Sequence, residues 1–177
     1  MTNYACFLRG INVGGHRKIP MADLRALVAE VTGCRDVQSY IASGKVVFST
    51  DQDQATLKSD LRAAIQDQFG FDVPLMLLSQ VALTSVMAGC PCPDAQGNLV
   101  HGFLCNAEPR LDLAGIKALK TRTETVTCVG QTVWLHAPDG VGRSKLAAKF
   151  EKLVGVEATA RNLNTLRKVE TMLAALS

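Results

Sequence analysis

The sequence predicts an α+β fold: two ferredoxin-like (βαββαβ) subdomains packed together, followed by a C-terminal helix. Three observations predict it. The order strand, helix, strand, strand, helix, strand is readable along residues 1–89 and starts again at residue 99. Each half carries a short turn signal between its two middle strands, Ser43-Gly44 in the first and Gly130-Gln131 in the second. A stretch with Pro91, Pro93 and Gly97 separates the halves. The expected plan is therefore an N-terminal subdomain with a trailing helix over 1–89, a linker or surface loop over 90–98, and a C-terminal subdomain plus final helix over 99–177.

The elements follow in order. Tyr4 to Leu8 is a short apolar run, read as a strand. Ile11 to Lys18 is a glycine-rich, basic loop. Pro20 suits the first turn of a helix. Met21, Leu24, Leu27, Val28 and Val31 then recur at helical spacing until Gly33. Val37–Ile41 and Val46–Phe48 read as hairpin arms. Leu57, Leu61, Ala64, Ile65 and Phe69 mark a second helix with Asp53 as its N-cap. Val73 to Leu78 is a buried strand, and Gln80 to Met87 a short helix. In the second half, Leu99–Cys105 is strand-like, Leu113–Leu119 helical, and Thr125–Val129 with Thr132–His136 a hairpin. Leu146, Phe150, Leu153 and Val154 mark a helix, Glu157–Ala160 a short strand, and Leu163, Leu166, Val169, Leu173 and Leu176 the last helix.

Composition bounds the function. The chain has 177 residues, 47% apolar and 20% charged, which suits a folded core without disulfide or metal staples. No apolar run approaches the roughly 20 residues that span a bilayer, so no membrane partner is expected. The first residues lack the basic and apolar regions of a secretory signal, so a cytoplasmic location is expected. The net charge of +3 is unevenly placed: residues 90–177 hold eleven bases against eight acids, while 1–89 balance at eight each. Seven of those bases and two acids lie in 143–168, a charge balance that attracts phosphate or nucleic acid, or that simply solvates a helix face. Six cysteines show no C-x-x-C spacing, and Cys90-Pro91-Cys92-Pro93 is a C-x-C, so no metal site is expected. Cys6, Cys105 and Cys128 read as small core residues. No Ser or Cys adjoins a histidine in sequence, so no nucleophile is nominated.

Three polar stretches sit at element ends. The first, Arg9-Gly10-Ile11-Asn12-Val13-Gly14-Gly15, follows a strand and precedes a helix, where backbone N–H groups meet anions. It matches neither standard phosphate-loop pattern, and its other reading is a loop requiring positive φ at Gly14 and Gly15. The second, Tyr40-Ile41-Ala42-Ser43-Gly44-Lys45, is a tight turn that also offers a hydroxyl and an ammonium. The third comprises Gly140 to Lys145 and Ala158 to Thr165. There Lys145, Lys149 and Lys152 share a helix face, Asn162 suits an N-cap, and Arg161 flanks a helix N-terminus.

Phe7 to Gly15 followed by Ile19 to Arg25, then Tyr40 to Phe48, then Ser144-Lys145-Leu146, then Thr159 to Thr165 together resemble the blocks of the family of unknown function DUF1697. The blocks stand in the right order and span nearly the whole chain. Lys45 stands where the family usually has Asn, and Leu163 where it usually has Trp. The resemblance implies a bacterial α+β protein of two ferredoxin-like subdomains and carries no activity with it.

The functional expectation is a binding module for a phosphate-bearing ligand, a nucleotide or nucleic acid, at a basic cleft between the subdomains. Arg9, Lys18, Lys45, Lys145 and Arg161 would neutralise the phosphate. Asn12, Ser43, Ser144 and Asn162, with the backbone at Gly14 and Gly15, would orient it. The alternatives are a protein–protein interaction module and an enzyme whose acid and base meet only in space, from among Lys145, Tyr40 and His16. No cofactor is indicated.

Overall fold

The computed structural model describes residues 1–34 and 36–176. The first strand, β1 (Thr2–Leu8), is buried from Tyr4 to Leu8 without alternation. A continuous apolar run is what a strand needs when both of its faces are covered. It is followed by α1 (Met21–Thr32), β2 (Gln38–Ser39), β3 (Lys45–Thr50), α2 (Gln54–Phe69) and β4 (Leu75–Ser79). The strands form one antiparallel sheet in the order β2-β3-β1-β4, with β1 between β3 and β4. This is the ferredoxin-like order. Leu24, Leu27 and Val28 of α1 and Leu57, Leu61 and Ile65 of α2 pack with Tyr4, Cys6 and Leu8 on one sheet face. On the other face Asn3 Nδ2 donates to the carbonyls of Leu173 and Leu176 at 3.2 and 3.3 Å.

The second series is β5 (Val100–Cys105), α4 (Leu113–Leu119), β6 (Thr125–Val129), β7 (Thr132–His136), α5 (Lys145–Leu153) and β8 (Ala158–Asn162). Its antiparallel sheet runs β6-β7-β5-β8, the same order as the first. Phe103 of β5 meets Phe150 of α5 edge-to-face, with centroids 4.8 Å apart, among Val133, Leu135, Leu146 and Ile116. On the opposite face a Cβ on Gly102 would lie 3.0 Å from the Trp134 ring and 3.1 Å from Leu166, so glycine there admits the indole. Two further helices, α3 (Gln80–Ala88) and α6 (Leu163–Ala174), follow the first and second series.

The chain divides into two compact units. One holds Met1–Thr84 and the chain from Val169 onward; the other holds Ser85–Lys168 and so includes residues 90–98. That stretch is tied down inside its unit: the Leu163 N–H donates to the Gly97 carbonyl at 3.0 Å and Arg167 donates to the Pro93 carbonyl. Among the described residues no helix is long and apolar enough to cross a membrane.

Several local details differ from the sequence reading. The hairpin arm expected over Val37–Ile41 shrinks to Gln38–Ser39, because Ile41 takes φ +46° and leaves the extended path. The strand expected to end at Ala160 continues to Asn162 through its pairing with β5. Cys128 is exposed, not a core residue, because β6 is the outer strand of its sheet. The Asp53 cap forms as expected, its carboxylate accepting from the N–H groups of Ala55 and Thr56 at 3.1 Å.

Candidate functional site

The loop between β1 and α1 is a miniature hairpin. The Asn12 N–H donates to the Arg17 carbonyl at 3.1 Å, and Val13 bridges His16. Gly14 and Gly15 form the turn with φ of +61° and +76°, a pair of left-handed conformations that favours glycine. Asn12, itself at φ +55°, holds the loop with its side chain. Its Nδ2 donates to the carbonyls of Ile19 and Ala42 at 3.0 and 2.7 Å, and its Oδ1 accepts from the Ile19 N–H at 2.8 Å. The loop ends at Pro20, which caps α1 without any side-chain hydrogen bond to the first turn. The helix therefore starts with N–H groups that no cap satisfies. Asp23 is the acid of that turn. An open depression of about 400 Å³ lies at this helix start, lined by Lys18, Pro20 and Met21 and by Asn12, Gly15, Ile19 and Ala42.

The second polar stretch meets the first. The Leu8 N–H donates to the Gly44 carbonyl at 2.7 Å, and Gly44 sits against Ile11 and Leu8. Lys45 is 3% exposed. Its Nζ donates to Ser43 Oγ and stands 5.6 Å from the centroid of the Tyr40 ring. The ammonium expected to project from this turn is thus folded onto the turn's own hydroxyl and ring. Arg9 is half-buried, and its backbone N–H donates to the Pro74 carbonyl at 2.9 Å.

The remaining four nominated residues lie in the other unit. Ser144 is buried and caps α5, accepting from the Ala147 N–H at 2.9 Å. Lys145, Lys149 and Lys152 are exposed, opposite the buried Leu146, Phe150 and Leu153. Asn162 closes β8, and its Oδ1 accepts from the Thr165 N–H at 2.8 Å, so it caps α6 from the strand. Arg161 Nη1 donates to the Ala160 carbonyl at 2.7 Å. The register sets His136 opposite Val100 and Asn162 opposite His101, so β7 and β8 end at the same end of the sheet. The approach to α5 and the approach to α6 both begin there.

Two features lie outside the nominated stretches. A larger depression of about 610 Å³ in the first unit is lined by Thr32, Cys34, Asp36, Ser49, Asp51 and Gln52, among others, and by none of the eleven nominated residues. In the second unit Cys92 Sγ lies 3.5 Å from His136 Nδ1. Forty-four residues separate that pair. The only sequence trace of it is the C-x-C itself, since nothing local connects residue 92 to the end of β7. Among the described residues no group of three or more His, Cys, Asp or Glu side chains is placed to hold a metal ion. Burial lowers the pKa of His101 and pushes the Cys105 thiol up to about 11, with Cys128 adding to the latter.

Two four-stranded antiparallel sheets of the same strand order, each with helices between its strands, place the chain among α+β proteins built of two ferredoxin-like units. Residues 1–134 match the model of the family described as "Protein of unknown function (DUF1697)", and the chain belongs to that family. It is similar over its length to a solved structure, a conserved bacterial protein from Streptococcus pneumoniae. The identity is 26% and the TM-score 0.77, over 97% of this chain and 98% of that one. No curated protein matches the chain.

Proposed function

We propose that this chain is a binding module for a phosphate-bearing ligand, a nucleotide or nucleic acid, seated at the start of α1. One observation carries the reading: the N-terminus of α1 has no side-chain cap and opens on a depression that Lys18 and Gly15 line. Uncapped N–H groups at a helix start carry partial positive charge and bind phosphate oxygens directly. Lys18 adds a full charge, Gly15 lets the ligand approach the backbone, and Asn12 holds the loop in register with the helix.

The test is a thermal-shift panel of inorganic phosphate, nucleotides, and short DNA and RNA at low and moderate salt. A ligand at 100 times its Kd stabilises the folded state by about 2.7 kcal/mol. Lys18→Ala weakens the shift. Asp23→Asn strengthens it, because it removes the competing acid of the first turn. A flat panel from folded protein overturns the reading. The alternative occupant is then a protein partner, favoured by the exposed Val13 and Ile41, 67% and 60% accessible beside the lining residues Asn12 and Ala42.

A further inference from the structure

We propose that Cys92, with His136 and Cys90, forms a thiol site that hydroperoxides oxidise to an intramolecular Cys90–Cys92 disulfide. This site is independent of the phosphate reading and lies wholly in the unit Ser85–Lys168.

The geometry starts with the imidazole. His136 is the last residue of β7, and its Nδ1 faces Cys92 Sγ at 3.5 Å, within the longer reach of a sulfur hydrogen bond. With the proton of the ring on Nε2, the thiol donates to Nδ1. As the sulfur attacks, the imidazole accepts that proton as general base, which activates the thiol as a nucleophile. Cys92 is half-buried, and the prolines on both sides of it are exposed, so a small oxidant reaches the sulfur.

The second thiol is positioned by the chain. The Cys90 N–H donates to the Met87 carbonyl at 3.1 Å, and the Ala95 N–H to the Cys92 carbonyl at 3.2 Å, which fixes the loop on both sides of Pro91. Cys90 is buried, and the Cys92 N–H donates to its sulfur. Burial raises the pKa of its thiol, and the Cys92 N–H, with Arg167 a smaller contributor, acts in the opposite sense. Because the His136 ring faces Cys92 Sγ, Cys92 is the attacking sulfur and Cys90 the resolving one.

The chemistry balances in two steps. The Cys92 sulfur attacks the terminal oxygen of a hydroperoxide; the S–O bond forms, the O–O bond breaks, and the alkoxide leaves with the proton held by His136. The sulfur loses two electrons to the peroxide and becomes a sulfenic acid. Cys90 then attacks that sulfur; the S–S bond forms, the S–O bond breaks, and hydroxide leaves with the Cys90 proton as water.

The test uses the reduced full-length protein. It is treated with hydrogen peroxide, the remaining thiols are alkylated, and fragments are read by mass spectrometry. The expected result is joint loss of free Cys90 and Cys92 into one fragment two hydrogens lighter. At neutral pH, iodoacetamide labels Cys92 in the untreated wild type about tenfold faster than the exposed Cys128. His136→Asn removes that advantage, and Cys90→Ser leaves Cys92 as a sulfenic acid that a dione reagent traps. The proposal is overturned if wild-type Cys92 labels no faster than Cys128, or if peroxide consumes Cys92 without Cys90. It is also overturned if a folded His136→Asn protein labels at the wild-type rate.

Discussion

Asn12 Nδ2 donates to the Ala42 carbonyl at 2.7 Å, and this bond ties the glycine-rich loop after β1 to the turn before β3. The two sequence stretches nominated separately are parts of one assembly. The same side chain makes two further bonds to Ile19, one as donor and one as acceptor. Asn12→Ala loses all three and places a Cβ-bearing residue without a compensating side chain at φ +55°, so it destabilises by about 2–3 kcal/mol. Asn12→Gly loses the bonds but relieves the backbone, and is milder by about 1 kcal/mol. Urea unfolding of the two variants side by side checks the difference; equal losses would show that backbone conformation contributes nothing.

Gly44 is required at its position for two reasons. Its φ is +71°, and a Cβ there would stand 2.7 Å from Ile11 Cδ1 and 2.8 Å from Leu8 Cβ. Leu8 and Ile11 are both buried, so neither yields easily. Gly44→Ala is expected to destabilise by about 2–4 kcal/mol. A denaturation midpoint within error of the wild type would contradict the packing described.

Ile41 presents the opposite case. A β-branched side chain stands at φ +46° while 60% accessible, strained without the packing that would repay it. Ile41→Asn, which tolerates the left-handed region, is expected to stabilise the protein by about 1 kcal/mol. Thermal melts read this directly, and a loss of stability would mean that the isoleucine makes a contact worth more than its strain.

His101 carries a pH dependence of definite sign. Burial depresses its folded pKa below the ordinary 6.5. Above that value both states are neutral at this position, and the residue adds no pH dependence. As pH falls below 6.5 the unfolded chain takes the proton first, so stability declines until the folded pKa is passed and then levels off. His101→Leu removes this component of the acid sensitivity. Comparing urea midpoints of both proteins at neutral and mildly acidic pH tests it; identical acid losses would assign the sensitivity to other groups.

Cys105 is expected to be inert in the native state. Burial pushes its thiol up to about 11, so almost no thiolate forms near neutrality. An alkylating reagent at pH 8 should modify the exposed Cys128 and spare Cys105 until denaturant is added. Native labelling of Cys105 would reveal local opening of β5.

Much of the architecture is legible in short windows of the chain. Apolar spacing marks the helices, Gly130-Gln131 lies between strands that pair at Val129 and Thr132, and Asp53 caps α2 where an acid precedes a helical pattern. The positive φ of Gly14 and Gly15 is also readable, because adjacent glycines favour that turn. The candidate site is legible only in part. Lys18 is exposed at the helix start as a loop lysine should be, whereas Lys45 is buried against Ser43 and Tyr40. A lysine at the head of a strand carries no local mark of whether its ammonium will point to solvent or back onto its own turn.

The order of elements, the second hairpin and the Asp53 cap follow from local sequence, because periodicity, turn chemistry and capping act over a few consecutive residues. Which of those elements meet is set by the folding of the whole chain. Strand register set His136 at the end of β7, and the folded 90–98 stretch brought Cys92 to within 3.5 Å of it. Loop closure and side-chain packing likewise brought Asn12 to Ala42. Such contacts depend on distant parts of the chain reaching the same place, and no local pattern records that.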